Sequence, residues 1–169
     1  LACGASPIMS DEPEDVRDIT TICSALNINI GTLNKRSIEA MLIAGRRAAE
    51  LNHPILLDPV GAGASALRTD TAVRIMEELH PTVIRGNISE IKTLALGSGT
   101  TNGVDADAAD AVTDENLDFS VEFAKNFAKN ANCVVAITGA IDLVSDGERC
   151  AVIRNGAPQM SAITGTGCQ

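Results

Sequence analysis

The chain has 169 residues, of which 45% are hydrophobic and 21% charged, as expected for one globular domain with a buried core. Its formal net charge of −9 disfavours nucleic acid and anionic membrane as partners, because an acidic surface repels phosphate groups. Aromatic residues make up only 2%, so the side chains that a base-stacking platform requires are scarce.

The cysteines and the apolar runs indicate an intracellular protein. The five cysteines include no CxxC pair, so we do not predict a zinc site, and an odd number of scattered cysteines fits a reducing compartment. The apolar runs are too short to span a bilayer, and no secretory signal pattern is present. We therefore expect a cytoplasmic protein without a membrane partner.

Helical and strand patterns alternate in the first part of the chain. Ser10 is a capping residue and Pro13 suits a first turn, so we predict that a helix begins there. Alternating residues predict a strand at 26–30, and apolar residues at helical spacing predict a helix at 35–51. A short apolar run at 54–58 is typical of a buried strand.

The same alternation continues to the end of the chain. Glycines mark tight turns, and polar stretches mark loops between the periodic segments. We predict, in chain order, a glycine-rich loop at 61–65, a helix at 69–79, a strand at 82–84, a helix at 87–96, an exposed loop at 97–116, a helix at 117–130, a strand at 133–137 and a hairpin around Asp146 and Gly147.

This order of elements predicts an α/β fold. Strands that alternate with helices form a mostly parallel sheet with helices on both faces, a three-layer α/β/α domain over residues 1–169. The chain begins at Leu1, and its glycine-rich C-terminal turn has no helix after it. We therefore expect a fragment that lacks N- and C-terminal parts of a longer protein.

Three polar residues stand at the predicted carboxyl ends of strands, where parallel sheets bind ligands. Asp58 precedes a glycine-rich turn whose N–H groups can approach an anion, and its carboxylate suits Mg²⁺ held through water. Arg85 suits a phosphate and Thr138 a nucleotide. The plainer interpretations are a solvated Asp58 in a tight turn and a simple turn at Thr138.

Two further patterns near this edge permit more than one interpretation. Glu90 follows Asn87 by three residues, which predicts a capping box, a contact with hydrated Mg²⁺, or both. Gly61, Gly63 and Ala66 match a dinucleotide fingerprint, with Arg85 placed to meet a 2′-phosphate. The chain has no Walker A segment, so an ATP-using enzyme of this sequence is not of that class.

The C-terminal turn at 165–168 is a candidate anion site. Small residues before a helix let the backbone N–H groups of Gly165, Thr166 and Gly167 form an anion hole for a phosphoryl group in transfer. Cys168 stands where a helix start favours the thiolate, although a small buried Cys is the plainer interpretation. Met9 is either core filler or pocket lining.

Seven segments occur in one order: 4–9, 29–33, 57–64, 84–90, 103–105, 136–139 and 164–168. With them the sequence resembles the hydroxyethylthiazole kinase family of thiamine salvage along essentially its whole length. The resemblance implies a ribokinase-like fold and ATP- and Mg²⁺-dependent phosphorylation of the hydroxyl of 4-methyl-5-(2-hydroxyethyl)thiazole. It also implies a homotrimer with the thiazole site between subunits.

The resemblance assigns the substrate side of the site. It implies that Met9 lines the thiazole pocket, that Gly165 lies beside the substrate, and that Cys168 is catalytic. Cys168 stands where the related sugar kinases carry an Asp. Thr166 replaces the more usual Ala of this turn, and both residues are small.

The resemblance also assigns the nucleotide side. It implies that Arg85 and Thr138 contact ATP, while Asp58 and Glu90 serve the region of Mg²⁺ and phosphate. Two other functions stay open on the residues alone. One is a ribokinase-like kinase for another vitamin precursor, and the other is a non-kinase module that binds a dinucleotide at residues 61–66.

Overall fold

The computed structural model describes residues 4–97, 111–157 and 159. The predicted anion hole and Cys168, at residues 165–168, lie outside the described residues. The described residues form five helices and six strands: α1 (Val16–Ile22), β1 (Leu26–Asn29), α2 (Lys35–Glu50), β2 (Ile55–Asp58), α3 (Ala66–Leu79), β3 (Val83–Gly86), α4 (Ile88–Gly97), α5 (Leu117–Ala131), β4 (Val134–Ile137), β5 (Asp142–Ser145) and β6 (Cys150–Ile153).

The six strands form one sheet in the order β1-β2-β3-β4-β5-β6. Neighbouring strands from β1 to β4 pair in parallel, whereas β4, β5 and β6 pair antiparallel. The predicted mostly parallel sheet and the predicted hairpin are therefore confirmed. Gly147 supplies the left-handed backbone of the hairpin turn, with φ of +94°.

Local hydrogen bonds explain where two of the helices begin. At α3 the Ser65 side chain accepts from the Arg68 N–H, so this helix starts at Ala66, earlier than the periodic residues predict. The predicted start of α1 near Ser10 is wrong. The N–H groups of Asp15 and Val16 instead bond to Glu12 O in a turn, and α1 follows that turn.

Two predictions between β3 and α5 need correction. Strand β3 continues beyond the predicted end at residue 84, because Arg85 pairs with Ala136 of β4. The segment 97–116 was expected to be an exposed loop. Residues 98–110 lie outside the described part of the chain, but Val112 is buried in the main core.

One face of the sheet forms the core. Right-handed crossovers between strands added in one direction place the connecting helices over the same face. The strand side chains of this face share a single apolar cluster with residues of α2, α3, α4 and α5. The cluster includes Ile28, Leu57, Ile84, Val135 and Leu143 from the strands and Leu42, Ile75, Ile91 and Phe127 from the helices.

The alternate strand residues belong to the opposite face. They are only half-buried and do not join the core cluster: Leu56, Val83, Val134, Ala136 and Val144. Within the described residues, therefore, the helices cover one face, and the second helical layer of the predicted three-layer fold is not among them. No helix in this described portion has both the length and the apolar character needed to cross a membrane.

Candidate active site

Polar residues from three neighbouring strands lie at one edge of the sheet. Asp58 is the last residue of β2, Arg85 lies next to the end of β3, and Thr138 follows β4. Because these strands are parallel, their carboxyl ends share an edge. The structure thus collects these three sequence-predicted residues in one place.

Asp58 is buried and lies between a neutral donor and a cation. Its Oδ2 accepts from Asn29 Nδ2 at 2.7 Å, and Arg85 Nη1 lies 3.5 Å from the same oxygen. Burial raises the pKa of Asp58 above its ordinary value, the charge of Arg85 opposes the rise, and the charge of Glu90 adds to it. The ionised carboxylate therefore requires a nearby positive charge, which Arg85 supplies in this arrangement.

Glu90 joins the start of α4 to the loop after β2. Its Oε2 accepts from the Asn87 N–H at 2.9 Å, and its own N–H donates to Asn87 Oδ1 at 2.8 Å, so the predicted capping box is confirmed. Its Oε1 accepts from the Gly61 N–H at 2.8 Å. A carboxylate oxygen can accept a second hydrogen bond, so Glu90 can still receive a metal-bound water.

The glycine-rich loop uses its own N–H groups inside the chain. The N–H groups of residues 61–64 donate, in order and at 2.8 to 3.0 Å, to Glu90 Oε1, Pro59 O, Thr69 Oγ1 and Gly61 O. These four groups are therefore bonded to oxygens of the chain itself, one of them in the Glu90 carboxylate, and in this conformation they are not directed at a ligand anion. Since a dinucleotide pyrophosphate needs such groups, the arrangement also argues against the dinucleotide interpretation.

Arg68 and Asn29 are two site residues for which the sequence reasoning gave no role. The guanidinium of Arg68 donates to the carbonyls of Ile30, Gly31 and Val60 at 2.9, 3.0 and 2.9 Å. The signal for Arg68 in the sequence is Ser65, a capping residue that places Arg68 in the first turn of a helix, where a cation opposes the helix dipole. Asn29 stands at a strand end, as Asp58 does.

The remaining predicted site residues have different surroundings. The Thr138 N–H donates to Gly86 O at 2.9 Å and its hydroxyl to the same oxygen at 3.4 Å, which fits the simple strand-end turn and leaves its nucleotide role untested. Met9 is 91% exposed and so makes little contact with the described residues. Gly165, Thr166, Gly167 and Cys168 lie outside the described ranges.

The donor set at this edge fits Mg²⁺ better than a metal bound by protein alone. In residues 4–97, 111–157 and 159 there is no cluster of three or more His, Cys, Asp or Glu side chains that would enclose an ion. Asp58 and Glu90 are two carboxylates near enough to each other that the charge of Glu90 raises the pKa of Asp58. Mg²⁺ is commonly held by one or two carboxylates together with waters and substrate phosphates.

Curated relatives resemble the chain closely in sequence. The hydroxyethylthiazole kinase of Clostridium acetobutylicum is 60% identical over 168 residues, which cover 99% of this chain and 62% of the relative. The hydroxyethylthiazole kinase of Clostridium beijerinckii is 54% identical, with 99% and 60% covered. The chain thus spans about three fifths of the length of these relatives.

A solved structure and a family profile agree with these relatives. The hydroxyethylthiazole kinase protein of Pyrococcus horikoshii OT3 superposes with a TM-score of 0.85 at 36% identity, covering 99% of this chain and 59% of that one. This likeness confirms the predicted ribokinase-like α/β class. The profile of the hydroxyethylthiazole kinase family matches residues 1–169. The chain therefore belongs to the hydroxyethylthiazole kinase family.

Proposed function

We propose that the protein transfers the γ-phosphoryl group of Mg·ATP to the hydroxyl of 4-methyl-5-(2-hydroxyethyl)thiazole. The observation that carries this proposal is the buried Asp58, balanced by Arg85 and bordered by Glu90, at the carboxyl edge of the parallel strands. A site that needs positive charge beside a carboxylate suits a metal–triphosphate ligand. Membership of the kinase family supports the same substrate pair.

In this proposal, charged side chains bind the phosphates of the nucleotide and the metal ion. With ATP bound, the Arg85 guanidinium would donate to a phosphate, and Mg²⁺ would supply positive charge near the Asp58 carboxylate. Asp58 and Glu90 hold the Mg²⁺ region, and the ion, when bound, neutralises charge on the phosphates. The Thr138 hydroxyl contacts the nucleotide.

The acceptor side of the proposal rests on the resemblance to the family. Met9 and Gly165 contact the thiazole, and Cys168 accepts the proton of its hydroxyl. The backbone N–H groups of Gly165, Thr166 and Gly167 hold the phosphoryl group as it is transferred. ATP as co-substrate also supports a cytoplasmic location.

We expect the natural-length protein, meaning the whole product of its gene, to phosphorylate the thiazole only when Mg²⁺ and ATP are both present. Chelation of Mg²⁺ should stop the transfer, which product chromatography measures. Transfer to a pyrimidine or pyridine alcohol with the thiazole left unchanged would support the kinase for another vitamin precursor. Protection from thermal unfolding by NAD(P) but not by Mg·ATP would support the dinucleotide module.

We also propose a homotrimer in which neighbouring subunits enclose the thiazole. One subunit has few aromatic side chains to surround a ring, and the apolar Ile8 and Met9 are 49% and 91% exposed. Exposed apolar side chains of this kind suit an interface. Light scattering on the natural-length protein should give three times the subunit mass, and a fully active monomer would contradict the proposal.

A further inference from the structure

We propose that Arg68 is a positioning residue. Together with Glu90 it fixes the orientation of the Val60–Gly61 peptide, and through this peptide the position of the Asp58 carboxylate. This inference rests on the proposed function, because Asp58 matters to catalysis only if it serves the Mg²⁺–phosphate region. Arg68 contributes three hydrogen bonds to backbone carbonyls rather than a contact with a reacting group.

Charged side chains bind both polar groups of the Val60–Gly61 peptide. Its carbonyl, Val60 O, accepts from Arg68 Nη1 at 2.9 Å, and its N–H, on Gly61, donates to Glu90 Oε1 at 2.8 Å. A guanidinium therefore meets the negative end of the peptide dipole and a carboxylate meets the positive end. A rotated peptide would direct its carbonyl at the Glu90 carboxylate, so the charged pair favours a single orientation.

A second series of hydrogen bonds connects Arg68 to Asp58 through the end of β1. Arg68 also donates to Gly31 O at 3.0 Å, and the N–H of Gly31 donates to Asn29 Oδ1 at 2.8 Å. The amide nitrogen of Asn29 in turn donates to Asp58 Oδ2 at 2.7 Å. Arg68 thus fixes the chain after β1 and the chain after β2, which are the two segments that flank the Asp58 carboxylate.

Arg68 also packs closely over Gly61. Gly61 has φ of +74°, which strains residues with a side chain, and a Cβ at this position would lie 3.1 Å from Arg68 Cδ. The Arg68 stem therefore packs directly against the peptide that its guanidinium holds. A change at Arg68 consequently reaches Asp58 through a short series of contacts.

The test compares three variants of the natural-length protein. Arg68→Met keeps an apolar stem but removes the donors, and Arg68→Lys keeps the charge but cannot bond three carbonyls with a planar fork. Arg74→Met is the control, because Arg74 lies on the same helix in an exposed pair with Glu78. Hydrogen exchange of the Gly61 amide is measured without substrates, and steady-state kinetics are measured with them.

For Arg68→Met we expect the Gly61 amide to exchange at least about tenfold faster. We expect kcat to fall about 10- to 100-fold, as misplacement of a catalytic group does, and half-saturation to need more Mg²⁺. The KM for the thiazole should stay within about twofold, since Arg68 holds the metal side of the site. In amide exchange, kcat and Mg²⁺ requirement, Arg68→Lys should lie between Arg68→Met and the unchanged protein. Arg74→Met should match the unchanged protein in all three.

Two results would overturn the inference. Unchanged exchange at Gly61 in Arg68→Met would show that Arg68 does not hold the peptide. Faster exchange with unchanged kcat and Mg²⁺ dependence would show a structural role alone. Absence of thiazole phosphorylation in the unmodified protein would instead contradict the proposed function, and the exchange experiment would still decide whether Arg68 fixes the peptide.

Discussion

Replacing Cys168 with alanine is expected to lower turnover about 10²–10⁴-fold while Mg·ATP binding persists. The hydroxyl of the acceptor is a very weak acid, so its proton leaves late, as the phosphoryl group is transferred. In the proposed site a Cys168 thiolate would accept that proton, whereas the methyl group of alanine cannot. Steady-state kinetics measure the change in turnover, and calorimetry measures the binding of Mg·ATP.

A carboxylate at the same position provides the matched comparison. Cys168→Asp is expected to stay active, because the resemblance implies that related sugar kinases carry an Asp at the corresponding position. In the proposed site the negative charge of either group would face the incoming phosphate, and the N–H groups of residues 165–168 would offset that repulsion. Full activity in Cys168→Ala would show that positioning and the anion hole suffice and that Cys168 is no base.

Replacing Phe127 with alanine is expected to lower the free energy of unfolding by about 3–5 kcal/mol. Phe127 lies on α5, is 2% exposed, and packs in the core beneath β4 and β5. Its ring lies 6.4 Å from that of Phe123. Removal of the ring leaves a cavity between the sheet and α5. The surrounding residues can relax into this cavity only in part. Chemical denaturation of the natural-length protein measures the effect.

Phe119 provides the control for this prediction, because it lies on the same helix but is 40% exposed. Phe119→Ala changes helix propensity in the same direction and creates no buried cavity, so it should cost no more than about 1 kcal/mol. Equal losses for the two variants would mean that the helix itself, rather than its buried face, sets the stability of this region.

The fold was predictable where one periodic pattern dominated a segment. The run at 133–137 and the turn at Gly147 indicated a strand and a hairpin, and the structure has both. The extension of β3 to Gly86 was not predictable from apolar runs, because the charged Arg85 occupies a strand position on the half-buried face. The late start of α1 likewise depends on bonds to Glu12 O that propensity does not register.

The candidate site was predictable only as far as topology determines it. The grouping of Asp58 and Arg85 was predictable, because the carboxyl ends of parallel strands lie at one edge of a sheet. The role of Arg68 was not predictable, because its guanidinium bonds to carbonyls of Ile30 and Gly31, which lie 38 and 37 residues away in the chain. The internal use of the loop N–H groups is equally a tertiary property, since glycine spacing is the same whether such groups are free or bonded.

The strand order β1 to β6 is also the order of the strands along the chain. During synthesis each of the described strands after β1 therefore meets a sheet neighbour that is already made. The connecting helix of each crossover emerges in between and can cover the growing sheet as it forms. A ribosome paused after any strand from β2 to β5 would hold a shorter sheet in which none of the described interior strands is missing, and the next strand joins its newest edge.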